Sequence, residues 1–296
     1  MKLSTETGEL MKLKEDRKAV EITAKAGFDC MDFTFWTWVP VKDHPLWDSD
    51  WRTRIRNLRK YADDNGVFYN QAHAPFRFNK EYLPDFTKEV FPLLERTFEA
   101  CAILGVPKVV VHPFHFAPYL SNKDYLYSVN MEMFQKLAPL AAAHDVKISL
   151  ENMFDFDSVS NSFGPSMFSD PYVYRDFYDK LGNRDVFTCC VDTGHCNLTW
   201  QKPEDMIRIL GDRVSVLHIN DNRMRGDDHI LPYTGLTQWD PVLQALAETG
   251  YEGEFTFEVL RLYDSSFDDD MLLTSARYLC DTGRHMIRRL ESFRKQ

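Results

Sequence analysis

The feature that most limits the fold of this chain is a rhythm: short runs of β-forming residues alternate with longer segments of helical period, eight times over. The runs predict strands near 3–8, 29–36, 67–74, 107–113, 146–152, 186–193, 213–219 and 254–259. Between and after them the spacing predicts helices near 14–27, 51–65, 87–104, 123–144, 171–182, 203–211, 239–249 and 271–294. Asp170-Pro171 and Lys202-Pro203 suit helix starts, and Gly27, Gly66, Gly105, Gly182 and Gly250 stand where helices should stop. No Ser/Gly-rich linker interrupts the series, and 296 residues with 44% hydrophobic content suffice for one large core. The fold class is therefore α/β, a single (β/α)8 TIM barrel, with residues 1–296 as one domain. A six-stranded doubly wound sheet is the alternative, and it requires the first two strands not to form.

In such a barrel, polar residues at the carboxyl ends of strands carry chemistry. Six consecutive strand ends offer a potential ligand: Gln71-Ala-His73, Val110-Val-His112, Ser149-Leu-Glu151, Cys190-Val-Asp192, Val216-Leu-His218 and Thr256-Phe-Glu258. Side chains alternate across a strand, so Leu150, Val191, Leu217 and Phe257 point outward while Glu151, Asp192, His218 and Glu258 share the inner face. Three carboxylates and one imidazole make a hard-oxygen set suited to one divalent metal ion: Mn2+, Mg2+ or Co2+, and Zn2+ if further nitrogens join. Without a cation, carboxylates gathered at a barrel mouth repel one another. Cys189 falls on the outward face, Cys190 lies one layer below Asp192, too deep for the ligand ring, and Cys196 is beyond the strand. These thiols are read as packing.

Composition excludes several classes of function. A formal charge of −10, with no Lys/Arg-rich run, disfavours nucleic acid as a partner. Charged residues break up Met1 to Val20, so neither a signal peptide nor a membrane span is expected there, and the cytoplasm is the default location. Six cysteines without a C-x-x-C pair are expected to be reduced.

The order and spacing of Gln71-Ala-His73-Ala-Pro75, Val111-His112-Pro113, Leu150-Glu151-Asn152, Val191-Asp192-Thr193-Gly194-His195, Leu217-His218-Ile219-Asn220-Asp221 and Phe257-Glu258 resemble the sugar phosphate isomerase/epimerase superfamily, the xylose isomerase-like barrels that include endonuclease IV. The resemblance implies one catalytic metal held by Glu151, Asp192, His218 and Glu258. It further implies that Glu151 and Glu258 move a proton next to a carbonyl of a sugar or polyol substrate, through an enediolate. His195, in a D-x-G-H motif where Gly194 lets the chain turn, is assigned to the substrate's oxygens. His73, His112 and Asn152 would line the same mouth, and Arg223 would hold a hydroxyl or phosphate. The long aromatic loop from Trp36 to Trp47 either folds over the mouth, with Trp36 against an apolar sugar face, or forms a homo-oligomer contact.

The chain departs from the ketose 3-epimerases after Glu151, where Asn152-Met-Phe-Asp-Phe-Asp157 does not reproduce their second acidic position. Three other activities compete with isomerase or epimerase chemistry. A dehydratase or lyase on an inositol- or shikimate-type ketone would use the same residues, and a non-catalytic sugar-binding barrel would need fewer of them. The third is an endonuclease IV-like zinc phosphodiesterase, because His73, His112, Glu151, Asp192, His195, His218, Asp227, His229 and Glu258 fall on all nine of that enzyme's ligand positions. The acidic charge and the missing basic stripe stand against it. The absence of glycine-rich phosphate loops favours an unphosphorylated substrate.

Overall fold

A computed structural model describes residues 1–36, 39–76, 86–115 and 117–295. Eight parallel strands form the expected barrel: β1 (Leu3–Glu6), β2 (Cys30–Thr34), β3 (Phe68–His73), β4 (Lys108–Val111), β5 (Lys147–Glu151), β8 (Phe187–Asp192), β9 (Val214–His218) and β10 (Phe255–Phe257). They are hydrogen-bonded in the order β10-β1-β2-β3-β4-β5-β8-β9. The ring closes where Ile219 bridges Phe257 and the Glu258 amide donates to the Ile219 carbonyl at 3.1 Å. Both of the first two strands form, which removes the doubly wound alternative.

Between and after the strands lie α2 (Asp16–Ala26), α3 (Trp51–Asp64), α4 (Phe86–Leu104), α5 (Tyr119–Ala142), α6 (Pro171–Leu181), α8 (Pro203–Leu210), α9 (Trp239–Glu248) and α10 (Asp269–Phe293). Asp170 caps α6 by accepting from the amides of Tyr172 and Val173, ahead of Pro171. Gly182 ends that helix at φ +71°, a left-handed conformation that favours glycine. Two six-residue helices, α1 (Gly8–Leu13) and α7 (Thr193–Leu198), and an antiparallel hairpin, β6 (Phe154–Asp157) with β7 (Ser162–Pro165), were not expected from the sequence. All three follow directly on strands at the barrel mouth.

Outward strand residues, Leu150, Val191, Leu217 and Phe257 among them, pack with the helices into one continuous core. Val110, Cys190 and Val216 form a small separate apolar cluster. A polar belt links inward residues of four strands: Ser4 donates to Asn70 at 2.6 Å, Thr256 to Gln71 at 3.0 Å, and Gln71 to Asp32 at 2.8 Å. Asn70 and Gln71 are neighbours yet both join this belt. The pairing of β2 with β3 slips between Met31 and Asp32, so that Asn70 is the extra residue of a bulge.

Candidate metal centre and cavity

Glu151, Asp192 and His218 end β5, β8 and β9, Glu258 directly follows β10, and each offers a ligand atom within 4.8 Å of the others. The first three are buried, whereas the Glu258 side chain is 13% exposed and forms part of a cavity wall. His218 Nδ1 lies 2.7 Å from Glu151 Oε1 and 3.3 Å from Glu258 Oε2. Its Nε2 is 3.4 Å from Asp32 Oδ2, so the ring is held between carboxylates on both sides. Asp192 is fixed by the His195 amide at 2.7 Å and the Asn220 side-chain amide at 2.7 Å.

Two further groups of ligands adjoin this one. His73, His112 and Glu151 form the first, with His112 Nε2 at 2.8 Å and His73 Nε2 at 3.6 Å from Glu151 Oε2. His195, Asp227 and His229 form the second, where His229 Nε2 is 3.1 Å and His195 Nε2 is 3.7 Å from Asp227 Oδ1. The Nδ1 atoms of His73, His195 and His229 lie 2.8, 2.9 and 3.0 Å from the backbone carbonyls of Ala74, Asn152 and Glu258. A carbonyl only accepts, so each Nδ1 carries a proton and each Nε2 is left facing the carboxylates.

The electrostatics fit a cation. Burial drives Glu258 well above the usual carboxylate range, assisted by Glu151 and Asp192 against the pull of His218 and His229. Burial also opposes charge on Glu151, but the charge of His218, its contact with Oε1 and the neighbouring His112 and His73 carry it well below that range. Burial disfavours the charged form of His218, yet Cys190, Glu258 and Glu151 raise it well above the ordinary histidine value. Protons thus occupy positions that a divalent ion neutralises at once. Buried Glu151 Oε2 and Asp227 Oδ1 make no hydrogen bond, which leaves donor capacity for such an ion.

The cavity above this floor has a volume of about 240 Å3. Its polar wall holds Glu6, Lys12, His73, His112, His115, Glu151, His195, Asp227, His229 and Glu258, and its apolar wall Met11, Trp36, Phe76, Met153, Phe154 and Leu260. Trp36 stands at the mouth, with edge contacts to Phe33 and His44 at centroid distances of 5.4 and 5.8 Å and Arg54 at 4.5 Å over its ring. Trp36 and His229, both at φ +44°, carry left-handed backbone that L-residues seldom adopt.

Three expectations need correction. Asn152 does not face the cavity: its amide accepts from the Asp192 backbone at 2.8 Å and donates back at 3.0 Å, which ties β5 to β8. Arg223 is exposed and is not part of the cavity wall. Cys190 is not too deep, because Sγ groups with Glu151 and His218 within 4.8 Å. Burial pushes that thiol far above its ordinary value, so it stays a neutral neighbour. Gly194 proves necessary for a reason other than a sharp turn: a Cβ there would lie 2.0 Å from Asn220 Oδ1. Trp38, in the aromatic loop, lies outside the described residues.

Sequence reasoning missed Glu6 and Asp32. Glu6 ends β1 and Asp32 stands mid-strand in β2, both on the inner face; the expected strands run on to residues 8 and 36, which hides Glu6 as a strand end.

Comparison with known proteins agrees with this architecture. The model of the family described as "Xylose isomerase-like TIM barrel" matches residues 20–280. An inosose isomerase of Bacillus velezensis is 24% identical over 257 residues, 84% of each chain. A crystal structure of the IolI protein with a bound zinc atom superposes with a TM-score of 0.75 at 18% identity, covering 96% of this chain and 99% of that one. A D-tagatose 3-epimerase-like protein gives a TM-score of 0.72 at 19% identity, covering 97% and 99%. With eight strands closed in the expected order and the family model spanning most of its length, the chain belongs to the xylose isomerase-like TIM-barrel family.

Proposed function

We propose that this protein is a divalent-metal-dependent isomerase or epimerase that moves a proton next to the carbonyl of an unphosphorylated sugar or polyol-derived ketone. The observation that carries the reading is the placement of two inequivalent carboxyls, Glu151 and Glu258, in one ligand group and in the wall of one cavity. Glu151, Asp192, His218 and Glu258 would hold one ion, which supplies Lewis-acid polarisation of the substrate's carbonyl and adjacent hydroxyl. Glu151, held ionised by its histidine neighbours, takes the proton from the carbon acid. Glu258, on which burial favours a proton, returns one. Return to the other face of the same carbon gives epimerisation, and return to the adjacent carbon gives isomerisation. His195 and His112, in the same cavity wall, bind the substrate's oxygens, while Trp36, Phe76 and Phe154 exclude water. Loss of a β-hydroxyl in place of proton return would make the enzyme a dehydratase, the alternative that uses the same residues. The inosose isomerase relative supports a cyclic polyol ketone as substrate class.

The three adjoining ligand groups favour one second reading, phosphodiester hydrolysis on several zinc ions. Against it, Lys12 is the only lysine or arginine in the cavity wall among the described residues, whereas binding a nucleic-acid backbone takes several. Metal analysis combined with solvent deuterium exchange into a panel of ketoses and inososes tests both. One ion per chain and exchange reduced by about 10²- to 10⁴-fold in Glu258→Gln are expected, the span for a lost general acid or base. Undiminished exchange in that variant would remove Glu258 from the mechanism. Three zinc ions with phosphodiester cleavage would replace the proposal by the hydrolase.

A further inference from the structure

The metal ligands, from β5, β8, β9 and β10, occupy one half of the ring, and Glu6 ends β1, the strand opposite β5. Glu6 is 3% exposed and belongs to the same cavity wall as Glu151 and Glu258. Its two carboxyl oxygens differ. Oε2 accepts from the amides of Gly8 at 2.7 Å and Glu9 at 3.4 Å, which accounts for the start of α1. Oε1 is buried and has no hydrogen-bond partner, a state whose cost normally ensures that such an atom is satisfied. Gly8 is kept small beside it, because a Cβ there would stand 3.2 Å from Glu6 Oε2 and 3.0 Å from Thr34 Cβ.

We infer that Glu6 is a substrate-binding residue: Oε1 bonds an oxygen of an uncharged polyhydroxy ligand at the pole of the cavity opposite Glu151. Chemistry selects the ligand class. Burial, with Glu9 adding to it, raises Glu6 to about 8, so at neutral pH the carboxyl is mostly protonated. Since Oε2 already faces two N–H donors, the proton resides on Oε1, which offers an O–H donor to a ligand hydroxyl or carbonyl. A phosphate is disfavoured at this pole. It would bring at least one negative charge next to Glu9 and buried Asp32, and the one cation of this cavity wall among the described residues, Lys12, already pairs with Glu9 at 2.5 Å.

This inference rests on the proposed function for the orientation of the ligand but not for its binding, so binding and turnover are measured separately. Calorimetric titration of the Mn2+-loaded protein with myo-inositol, glucitol and glucitol 6-phosphate reads the first. Wild type is expected to prefer an unphosphorylated polyol. Glu6→Leu should weaken that binding at least tenfold, and Glu6→Gln, which keeps an acceptor for the amides and a donor for the ligand, less than threefold. Metal content should stay the same in both variants. Should Glu6→Leu fail to fold, Gly8→Ala narrows the pole with the carboxyl intact and should weaken binding several-fold. Binding in Glu6→Leu, or in Gly8→Ala where that variant replaces it, equal to wild type overturns the inference. So does preference for the phosphorylated probe, or no polyol binding by wild type at millimolar concentration. Glu6-dependent binding without deuterium exchange into any ketone would reject the proposed reaction while leaving this assignment in place.

Discussion

Asp32 decides which nitrogen of His218 is free for a cation. Its Oδ2 faces His218 Nε2 at 3.4 Å and accepts from Gln71 at 2.8 Å, so the imidazole presents Nδ1 to Glu151 and Glu258. A carboxylate behind a ligating histidine fixes its tautomer and raises its basicity, and losing it typically costs 10- to 100-fold in metal affinity. Asp32→Asn is therefore expected to weaken metal binding by about that factor. Competition against a chromophoric chelator measures it, and an unchanged affinity would show that Asp32 only fills space. That the four proposed ligands share one inner face was legible in the sequence, because period-two alternation needs no knowledge of the fold. Asp32 was not, since its role depends on a contact with a residue 186 positions away in the chain, through a belt whose bulge at Asn70 leaves no local mark. Asn152 shows the converse: polar and next to a ligand, it reads as a binding residue, yet its amide serves the backbone of the adjoining strand.

At the scale of elements, the segment after β2 is the least legible part of the mouth. Its tryptophans suggested a cover or a contact between subunits, and the described part packs down onto the barrel. Buried His44 anchors it, with Nε2 donating to the Phe35 carbonyl at 2.9 Å and Nδ1 accepting from the Leu46 amide at 3.2 Å. Accepting at Nδ1 requires the neutral ring, and burial lowers its pKa from 6.5 to about 4. A depressed histidine binds no proton in the folded state where the unfolded chain does. Its contribution is thus complete above pH 6.5 and is lost as the pH falls towards 4, on the order of 3 kcal/mol across that window. Replacing His44 by Gln removes the titration. Urea denaturation of both proteins should show wild type more stable at pH 7, with the gap shrinking by roughly that amount at pH 4. A gap constant with pH would mean that His44 is not held neutral. Helices α1 and α7 escaped notice for a simpler reason: six residues span under two turns, too few for an amphipathic period to appear.

For the whole molecule, the eightfold rhythm was sufficient to specify the barrel, because helix and strand periods differ and each unit must bury its apolar face against the next. The interior follows another logic. One end of the barrel gathers Glu151, Asp192, Glu258 and Asp227 with His73, His112, His195, His218 and His229, a set of titratable groups that hydrophobic burial alone would not assemble. Such a concentration destabilises the metal-free fold, and a cation bound only by the folded state restores stability as RT ln(1 + [L]/Kd), about 2.7 kcal/mol at a hundredfold excess over Kd. For a chain of 296 residues that corresponds to a fall in Tm on the order of 5 °C when a chelator removes the ion. Scanning calorimetry with and without chelator measures it, and Glu258→Gln, which already lacks one ligand charge, should show a smaller difference. A Tm unchanged or raised by chelation would mean that these carboxylates and imidazoles stabilise one another without an ion, and the proposed chemistry would lose its Lewis acid.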